Sequence, residues 1–353
     1  MTSSYGIRAF VPTDREALEG LYQAVYGDTW AEKTNLGWTV GSFTSGAGAV
    51  VAALGDQVVA AQPYCDLSLD MPWGAGRASL FLDVATHPAH QRRGLFRRVV
   101  ERASAAAFER GASIVMTTPN RRAARGFDTM APWARLCSLD CLVRPLGAGD
   151  RPATSDLRAR AIRAVLALAS AGRLKPNGNR RDEEAPGDGV ETPWLPGNDA
   201  DQWAKNVAHL GGIMVARDRA FLQWRFGPEY RLFALRGAPG VEGYVASRVV
   251  TRAGLKVGLV VDCLAADAAA GGRLMAAALG WLDAQGASAA VGYFLPQSLP
   301  WRSARKAGFL RLPAFLTPRE YPVYACVRPG DAHGPALFDT ASWHLSMADS
   351  DLA

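Results

Sequence analysis

The chain has 353 residues, of which 49% are hydrophobic and 20% charged; this suits two folded domains and excludes a disordered or collagen-like chain. It holds no run of about 18 apolar residues and opens with neither a basic nor an apolar leader, so a cytoplasmic protein with no membrane partner is expected. Lys and Arg outnumber Asp and Glu by 39 to 33, a net charge of +6, which permits an anionic partner without choosing among nucleic acid, lipid and a phosphorylated cofactor.

The five cysteines, Cys65, Cys137, Cys141, Cys263 and Cys326, include no C-x-x-C pair. Buried free thiols are expected, and no metal site.

In chain order, residues 7–10 read as a strand, and Thr13 as the cap of a helix carrying Leu18, Leu21 and Tyr22. Residues 47–54 and 57–69 flank a Gly55-Asp56 turn and read as a hairpin. Residues 77–86 form a further apolar strand that ends at His87-Pro88, where proline cannot continue a ladder. Residues 95–109 are helical by spacing, with Val99, Val100, Ala103, Ala106 and Ala107 recurring at three to four, and Gly111 stops them. Another strand covers 113–117, Pro119-Asn120 ends it, and 134–143 read as a last pair of short strands. An alanine-rich helix is expected over 153–174. A linker should follow over 176–201, with Trp194 suggesting that part of it docks.

The pattern then returns. Residues 244–250 and 256–264 resemble a hairpin, 273–284 a helix and 288–294 a strand. Leu80-Phe81-Leu82-Asp83-Val84 aligns with Leu259-Val260-Val261-Asp262-Cys263 at an offset of 179 (262 less 83). Gly111-Ala112-Ser113 aligns with Gly286-Ala287-Ser288 at 175 (286 less 111). Two offsets that agree within a short insertion point to duplication of one α/β unit.

Arginines concentrate in Gln91-Arg92-Arg93-Gly94-Leu95-Phe96-Arg97-Arg98, directly after a strand and at the start of a helix. Free N–H groups at a helix start, a glycine that lets backbone come close and nearby guanidinium groups together suit a diphosphate. A solvated, basic helix start is the plainer reading of the same residues. No aromatic residues alternate with these arginines, so nucleic acid is not expected.

The stretch from Asp83 to Phe96, which includes His87-Pro88 and Gln91-Arg92-Arg93-Gly94-Leu95-Phe96, resembles the acyl-CoA-binding motif of the GNAT acyltransferase superfamily. The resemblance covers roughly residues 5–145 in element order. It implies an α/β (α+β) fold of two tandem GNAT-like domains, each a mixed, mostly antiparallel sheet flanked by helices. The expected divisions are 1–150 for the acyl-CoA-binding domain, 151–201 for a helix and linker, 202–328 for a degenerate GNAT-like domain and 329–353 for a tail.

The resemblance further implies that backbone amides from Gln91, Arg92, Arg93, Gly94, Leu95 and Phe96 hold the CoA pyrophosphate. Leu82, Val84 and Ala85 would hold the pantetheine arm and acyl carbonyl, and Asn120 would be a further cofactor contact, with a helix cap as its plainer role. The last motif position is normally small, and Phe96 departs from that. Asp83 is the candidate general base, with a strand-end structural role as its alternative; His87 and His90 read as structural. A tyrosine that protonates the departing thiolate in many relatives is replaced by Phe127.

In the second half, the glycines near Asp267 come with little positive charge, so no CoA is expected there. Asp218-Arg219-Ala220-Phe221-Leu222-Gln223-Trp224-Arg225-Phe226 resembles an element of tandem GNAT-like proteins, which makes Trp224 and Arg225 candidates for acceptor binding. An amphipathic core helix is their simpler reading. The ending with Trp343, Asp349 and Asp351 reads as an exposed tail.

The activity implied is N-acyl transfer from acetyl-CoA or another acyl-CoA to an amine on a small molecule, such as an amino sugar, aminoglycoside or peptide-like metabolite of secondary metabolism. Two alternatives stay open: a long-chain acyl- or aminoacyltransferase of cell-wall type, and a non-catalytic sensor of acyl-CoA.

Overall fold

The computed structural model describes residues 4–30, 46–147, 189–207, 212–237, 240–252, 255–317 and 320–350. The helix expected over 153–174, the Arg180 to Glu184 charge run and Asp351 lie outside the described residues. The strands in chain order are β1 (Gly6–Ala9), β2 (Ala47–Leu54), β3 (Gln57–Asp70), β4 (Gly76–Phe81), β5 (Ala85–Thr86), β6 (Ile114–Thr117), β7 (Ala134–Ser138) and β8 (Asp140–Pro145). They continue as β9 (Val190–Glu191), β10 (Met214–Val215), β11 (Arg231–Gly237), β12 (Gly240–Arg252), β13 (Leu255–Ala265), β14 (Ala289–Phe294), β15 (Leu310–Arg311) and β16 (Pro322–Val327). The longer helices are α1 (Arg15–Tyr26), α2 (Leu95–Glu109), α3 (Arg121–Phe127), α4 (Asn198–Val207), α5 (Arg219–Arg225), α6 (Ala268–Ala284) and α7 (Leu299–Lys306).

Two compact units share the chain. The first takes the described residues up to Ser138 with Ile213–Ala216 and Tyr321–Ser342; the second takes most of the rest. Each has a mixed sheet flanked by helices, as the α/β expectation required. The first sheet runs β1-β2-β3-β4-β6-β16-β7, with β5 and β10 also on β3; the second runs β15-β8-β14-β13-β12-β11-β9.

In the first unit both faces of the β2/β3 hairpin are covered. Val51, Val58 and Ala61 pack with Leu18, Leu21 and Tyr22 of α1, while Val50, Ala52, Val59 and Ala60 pack with Leu95, Val99, Val100 and Ala103 of α2. This is why the hairpin reads as continuous apolar sequence instead of alternating. Gly55, at φ +59°, makes its turn. In the second unit Phe233, Leu235, Val245 and Val260 of the sheet pack with Leu274, Met275, Ala278 and Leu282 of α6.

Three sequence expectations need correction. Residues 77–86 are not one strand, because the ladder breaks at 82–84 between β4 and β5. Residues 134–143 do hold the two short strands expected, but these join different sheets: β7 pairs with β16, and β8 with β14 and β15. Both stretches are mostly apolar, and hydrophobic pattern alone does not show where a ladder breaks or which sheet it joins. Helix α6 starts at Ala268, not near 273; Gly271 lies inside it because Ser303 leaves no room for a Cβ. The tail is not exposed at Asp349, which is buried.

The two units repeat specific details. Gly111 and Gly286 both have positive φ, at +95° and +75°. After α2, Gly111 N–H donates to Phe108 O and Ala112 N–H to Ala107 O; after α6, Gly286 N–H donates to Asp283 O and Ala287 N–H to Leu282 O. In both, the next serine leads into a strand that runs parallel to one before the helix, β6 along β4 and β14 along β13.

The cysteines carry no disulfide. Burial pushes the Cys65 and Cys137 thiols up to about 12, and Cys326 to about 11. Trp194 is buried and stacks obliquely 5.8 Å from Tyr244 within the second unit.

Candidate functional site

The site begins at the break between β4 and β5. Strand β3 pairs Tyr64 with Phe81 and Ala61 with Ala85. Between those pairs β3 has Gln62 and Pro63, whereas the facing segment has Leu82, Asp83 and Val84. One residue too many against a straight partner is a β-bulge, and the bulged strand bends. Asp83 carries it at φ +41°, a left-handed conformation that costs a non-glycine residue about 1–3 kcal/mol and persists only where the surroundings impose it.

Those surroundings are specific. Leu82 N–H donates to Pro63 O at 3.1 Å. The Gln62 amide, 1% exposed, donates through Nε2 to Pro63 O at 2.7 Å and Leu82 O at 3.1 Å. The Tyr22 hydroxyl on α1 donates to Asp83 O at 2.6 Å. Burial first, then the nearby Asp83 charge, holds the Tyr22 phenol well above its ordinary pKa, so it remains a donor. The parallel pairing of β4 with β6 ends at Phe81 and Thr117, level with the bulge.

The second part is the start of α2. Arg92 and Gly94 have φ +61° and +73°, and Gly94, the N-cap, has no side chain with which to close the helix. The first i to i−4 bond runs from Arg98 N–H to Gly94 O at 3.1 Å, so the amides of Leu95, Phe96 and Arg97 lack intrahelical acceptors. A Cβ on Gly94 would meet nothing within 4 Å, so the space beside this residue is open. Arg92, Arg93, Arg97 and Arg98 are exposed around it. An anion is favoured here by amides, helix dipole and guanidinium charge together.

The other predicted residues fall into place around these two features. Gln91 links the loop to its supports, donating from Nε2 to Thr86 O at 3.3 Å and accepting from Arg122 Nη2 at 2.7 Å. Asn120 caps α3, its Oδ1 taking Arg122 and Ala123 N–H at 3.0 Å each. The Phe96 ring turns into the core, 5.3 Å from Phe127 and over Gly126, where a Cβ would lie 2.5 Å from it. Only the Phe96 backbone faces the loop's task, and the departure from a small residue is thereby accommodated. His87 takes Ala89 N–H on Nδ1. His90 bonds Tyr5 OH at 3.0 Å; desolvation, His87 and Arg93 push it below its ordinary pKa.

Phe127 is fully buried. The phenol nearest it is Tyr324 of β16, ring centroids 5.9 Å apart, whose hydroxyl donates to Asp128 at 2.5 Å. Burial and that bond push Tyr324 up to about 12. Sequence reading missed Gln62, Tyr22 as a hydroxyl donor, and Tyr324. Gln62 alone left a signal, an amide set directly after the apolar run Val58-Val59-Ala60-Ala61.

In the second unit the equivalent features are closed. A bulge recurs in β13, where Asp262 faces Ala246 and Val260 faces Ser247, leaving Val261 extra. Its offset from Asp83 is 178 (261 less 83), within the 175 to 179 of the two sequence matches. The helix cap, however, is Asp267, whose carboxylate takes the Ala269 and Ala270 amides at 2.8 Å each. A carboxylate there both occupies the donors and repels a phosphate. Beside the bulge, Asp262 is fully buried and bonded by Arg217 Nε at 2.8 Å, Ser346 Oγ at 2.8 Å, His344 Nε2 at 3.2 Å and the Tyr244 hydroxyl. Arg225 is buried too, and its guanidinium donates to the carbonyls of Ala348, Met347 and Ser350 and to Tyr230 OH. Trp224 is half-buried, its ring 5.8 Å from Phe221.

Residues 7–127 match the family model of an acetyltransferase (GNAT) domain. Over these residues the chain is similar to a GNAT domain. Domains of this family transfer acyl groups from acyl-CoA to amines, and the matched residues contain both the bulge and the open helix start. No curated protein matches the sequence. Among solved structures, the chain is similar to a GCN5-related N-acetyltransferase from Anabaena variabilis ATCC 29413, with TM-score 0.59 at 9% identity over 92% of this chain and 73% of that one. A conserved protein of Enterococcus faecalis V583, titled a probable N-acyltransferase, gives 0.55 at 11% over 92% and 73%. A GCN5-related N-acetyltransferase from Kribbella flavida gives 0.55 at 11% over 92% and 71%. At these identities the likeness is one of fold, and it extends well beyond the GNAT domain match. No described helix is long and apolar enough to cross a membrane.

Proposed function

We propose that the protein is an acyl-CoA-dependent N-acyltransferase, with acetyl-CoA the acyl donor, acting on an amine of a small molecule such as an amino sugar, aminoglycoside or peptide-like metabolite. The observation that carries this is the Gly94 helix start: left-handed, uncapped, open beside the glycine and ringed by arginines. The amides from Gln91 to Phe96 would hold the pyrophosphate, with Arg92 and Arg93 beside it. Leu82, Val84 and Ala85 would line the acyl arm where β4 and β6 part.

The chemistry is direct transfer within a ternary complex. Amine nitrogen attacks the thioester carbonyl, the new C–N bond replaces C–S, and the sulfur leaves as thiolate or thiol. Bulge amides stabilise the oxygen charge that develops. The Asp83 carboxylate takes the amine proton, directly or through water. The second unit is a duplicated copy that gave up CoA, a reading supported by its matching turn, bulge and offset and by Asp267 at the helix start. Trp224 would serve the acceptor; the bonds of Arg225 to the tail support a holding role for that side chain.

Incubation with acetyl-CoA and a panel of amines, with free thiol detected, tests the reaction. Thiol release with one amine class is expected. Binding of acetyl-CoA without release for any amine would support a sensor instead, a reading favoured by the burial of Phe127 where the family resemblance leads one to expect a proton donor.

A further inference from the structure

The bulge at 82–84 exposes two consecutive carbonyls, of Leu82 and Asp83, and each is held by a side chain from a different element. Gln62 on β3 takes Leu82 O, and Tyr22 on α1 takes Asp83 O. A regular antiparallel ladder would not need either: successive carbonyls alternate, and the partner strand's own amides take those that face it. At this point β3 offers Pro63, which has no amide to give. Its place as donor is filled by the Gln62 side chain, buried among residues with almost no other polar character.

Peptide planarity converts these bonds into a direction. In a trans peptide the N–H points opposite to the preceding carbonyl. The Asp83–Val84 bond is not among the cis bonds of the described residues, so fixing Asp83 O on Tyr22 turns the Val84 N–H away from α1. Among the described residues no acceptor takes that amide. Val84 itself packs against the cluster that holds α2, the helix that begins after Gly94.

We infer that Gln62 and Tyr22 are positioning residues, a two-point clamp that holds the bulge so that the Val84 N–H is kept for the acyl carbonyl of the bound thioester. The inference rests on the acyl-CoA reading above. Burial holds the Tyr22 phenol well above its ordinary pKa, and Gln62 has no charge to titrate, so the clamp is independent of pH near neutrality. It divides the site's labour: the Gly94 amides hold the cofactor's phosphates, and the clamp sets only the reacting carbonyl.

Isotope-edited infrared spectroscopy of acetyl-CoA labelled with carbon-13 at the thioester carbonyl tests it, alongside calorimetric titration with CoA. In the wild-type protein the carbonyl stretch is expected to fall on binding, as a hydrogen bond to its oxygen requires. In Tyr22→Phe and Gln62→Met the stretch should return toward its free value while the Kd for CoA stays within twofold. A stretch unshifted in the wild type, or equally shifted in both variants, overturns the clamp. So does a variant that loses CoA affinity together with its thermal transition, because the pair would then serve only the fold. Should Gln62→Met not fold, Tyr22→Phe decides alone, since it removes one oxygen and keeps the ring. Failure of the wild-type protein to bind acetyl-CoA at all would instead overturn the acyltransferase reading and the clamp with it.

Discussion

Arg217 and Asp349 are joined by an ion pair of 2.9 Å across 132 positions of sequence, with 1% and 3% of their side chains exposed. The same guanidinium bonds Asp262 at 2.8 Å. One buried cation thus serves two buried carboxylates, one from the sheet and one from the tail.

Removing it leaves both carboxylates unpaired away from water. Arg217→Met is expected to destabilise the protein by about 3–5 kcal/mol, the usual cost of breaking a buried pair from one side. Urea unfolding followed by tryptophan fluorescence measures it. A loss below about 1 kcal/mol, the range of exposed pairs, would show that the network relaxes or hydrates.

The same cluster sets an acid limit. Burial alone would push Asp262 up, but the Arg217 charge and the bonds from His344 and Tyr244 outweigh it and hold the carboxyl well below its ordinary range. A folded-state pKa below the unfolded one, about 3.9, contributes stability that is fully present above the unfolded value. That stability is lost as pH falls through the folded one. Urea midpoints should therefore be level down to about pH 4 and decline below it, and Asp262→Asn should flatten the decline.

Gly94→Asp would put a carboxylate at the start of α2, as Asp267 does at the start of α6. The exchange places a non-glycine residue at φ +73°, at about 1–2 kcal/mol. The carboxylate would meet the phosphates of the cofactor, and acetyl-CoA affinity measured by calorimetry is expected to fall at least tenfold with little change in thermal midpoint. Unchanged affinity would remove the helix start from the binding site.

Phe127→Tyr would place here the proton-donating tyrosine that the family resemblance leads one to expect, yet it should not add activity. The ring is fully buried between Phe96, Trp133 and Tyr324. A hydroxyl placed there without a partner costs about 1–3 kcal/mol. A lower thermal midpoint with kcat unchanged or reduced is expected; a rise in kcat would mean that the ring reaches the thioester.

What could be read from the sequence follows from the range of the forces involved. The hairpin at Gly55, helix α2 and the Gln91 to Phe96 loop were legible because apolar spacing, turn glycine and charge are local. The bulge was not, because Leu82 and Val84 are as apolar as the strand they interrupt, and the extra residue exists only relative to β3. Asp349 read as solvated because its counter-ion lies 132 positions earlier. Strand β16 gave no signal that it belongs between β6 and β7, since register with a distant partner has no local signature.

The place of β16 bears on how this protein must be made. The GNAT domain match ends at residue 127, yet its sheet takes in Pro322–Val327 as an interior strand. During synthesis this sheet must therefore wait, with the edges of β6 and β7 unpaired, until Pro322–Val327 has left the ribosome, about 200 residues after the matched region. A gene cut after the matched region would encode every residue of the phosphate loop and still lack the strand that closes the sheet behind it.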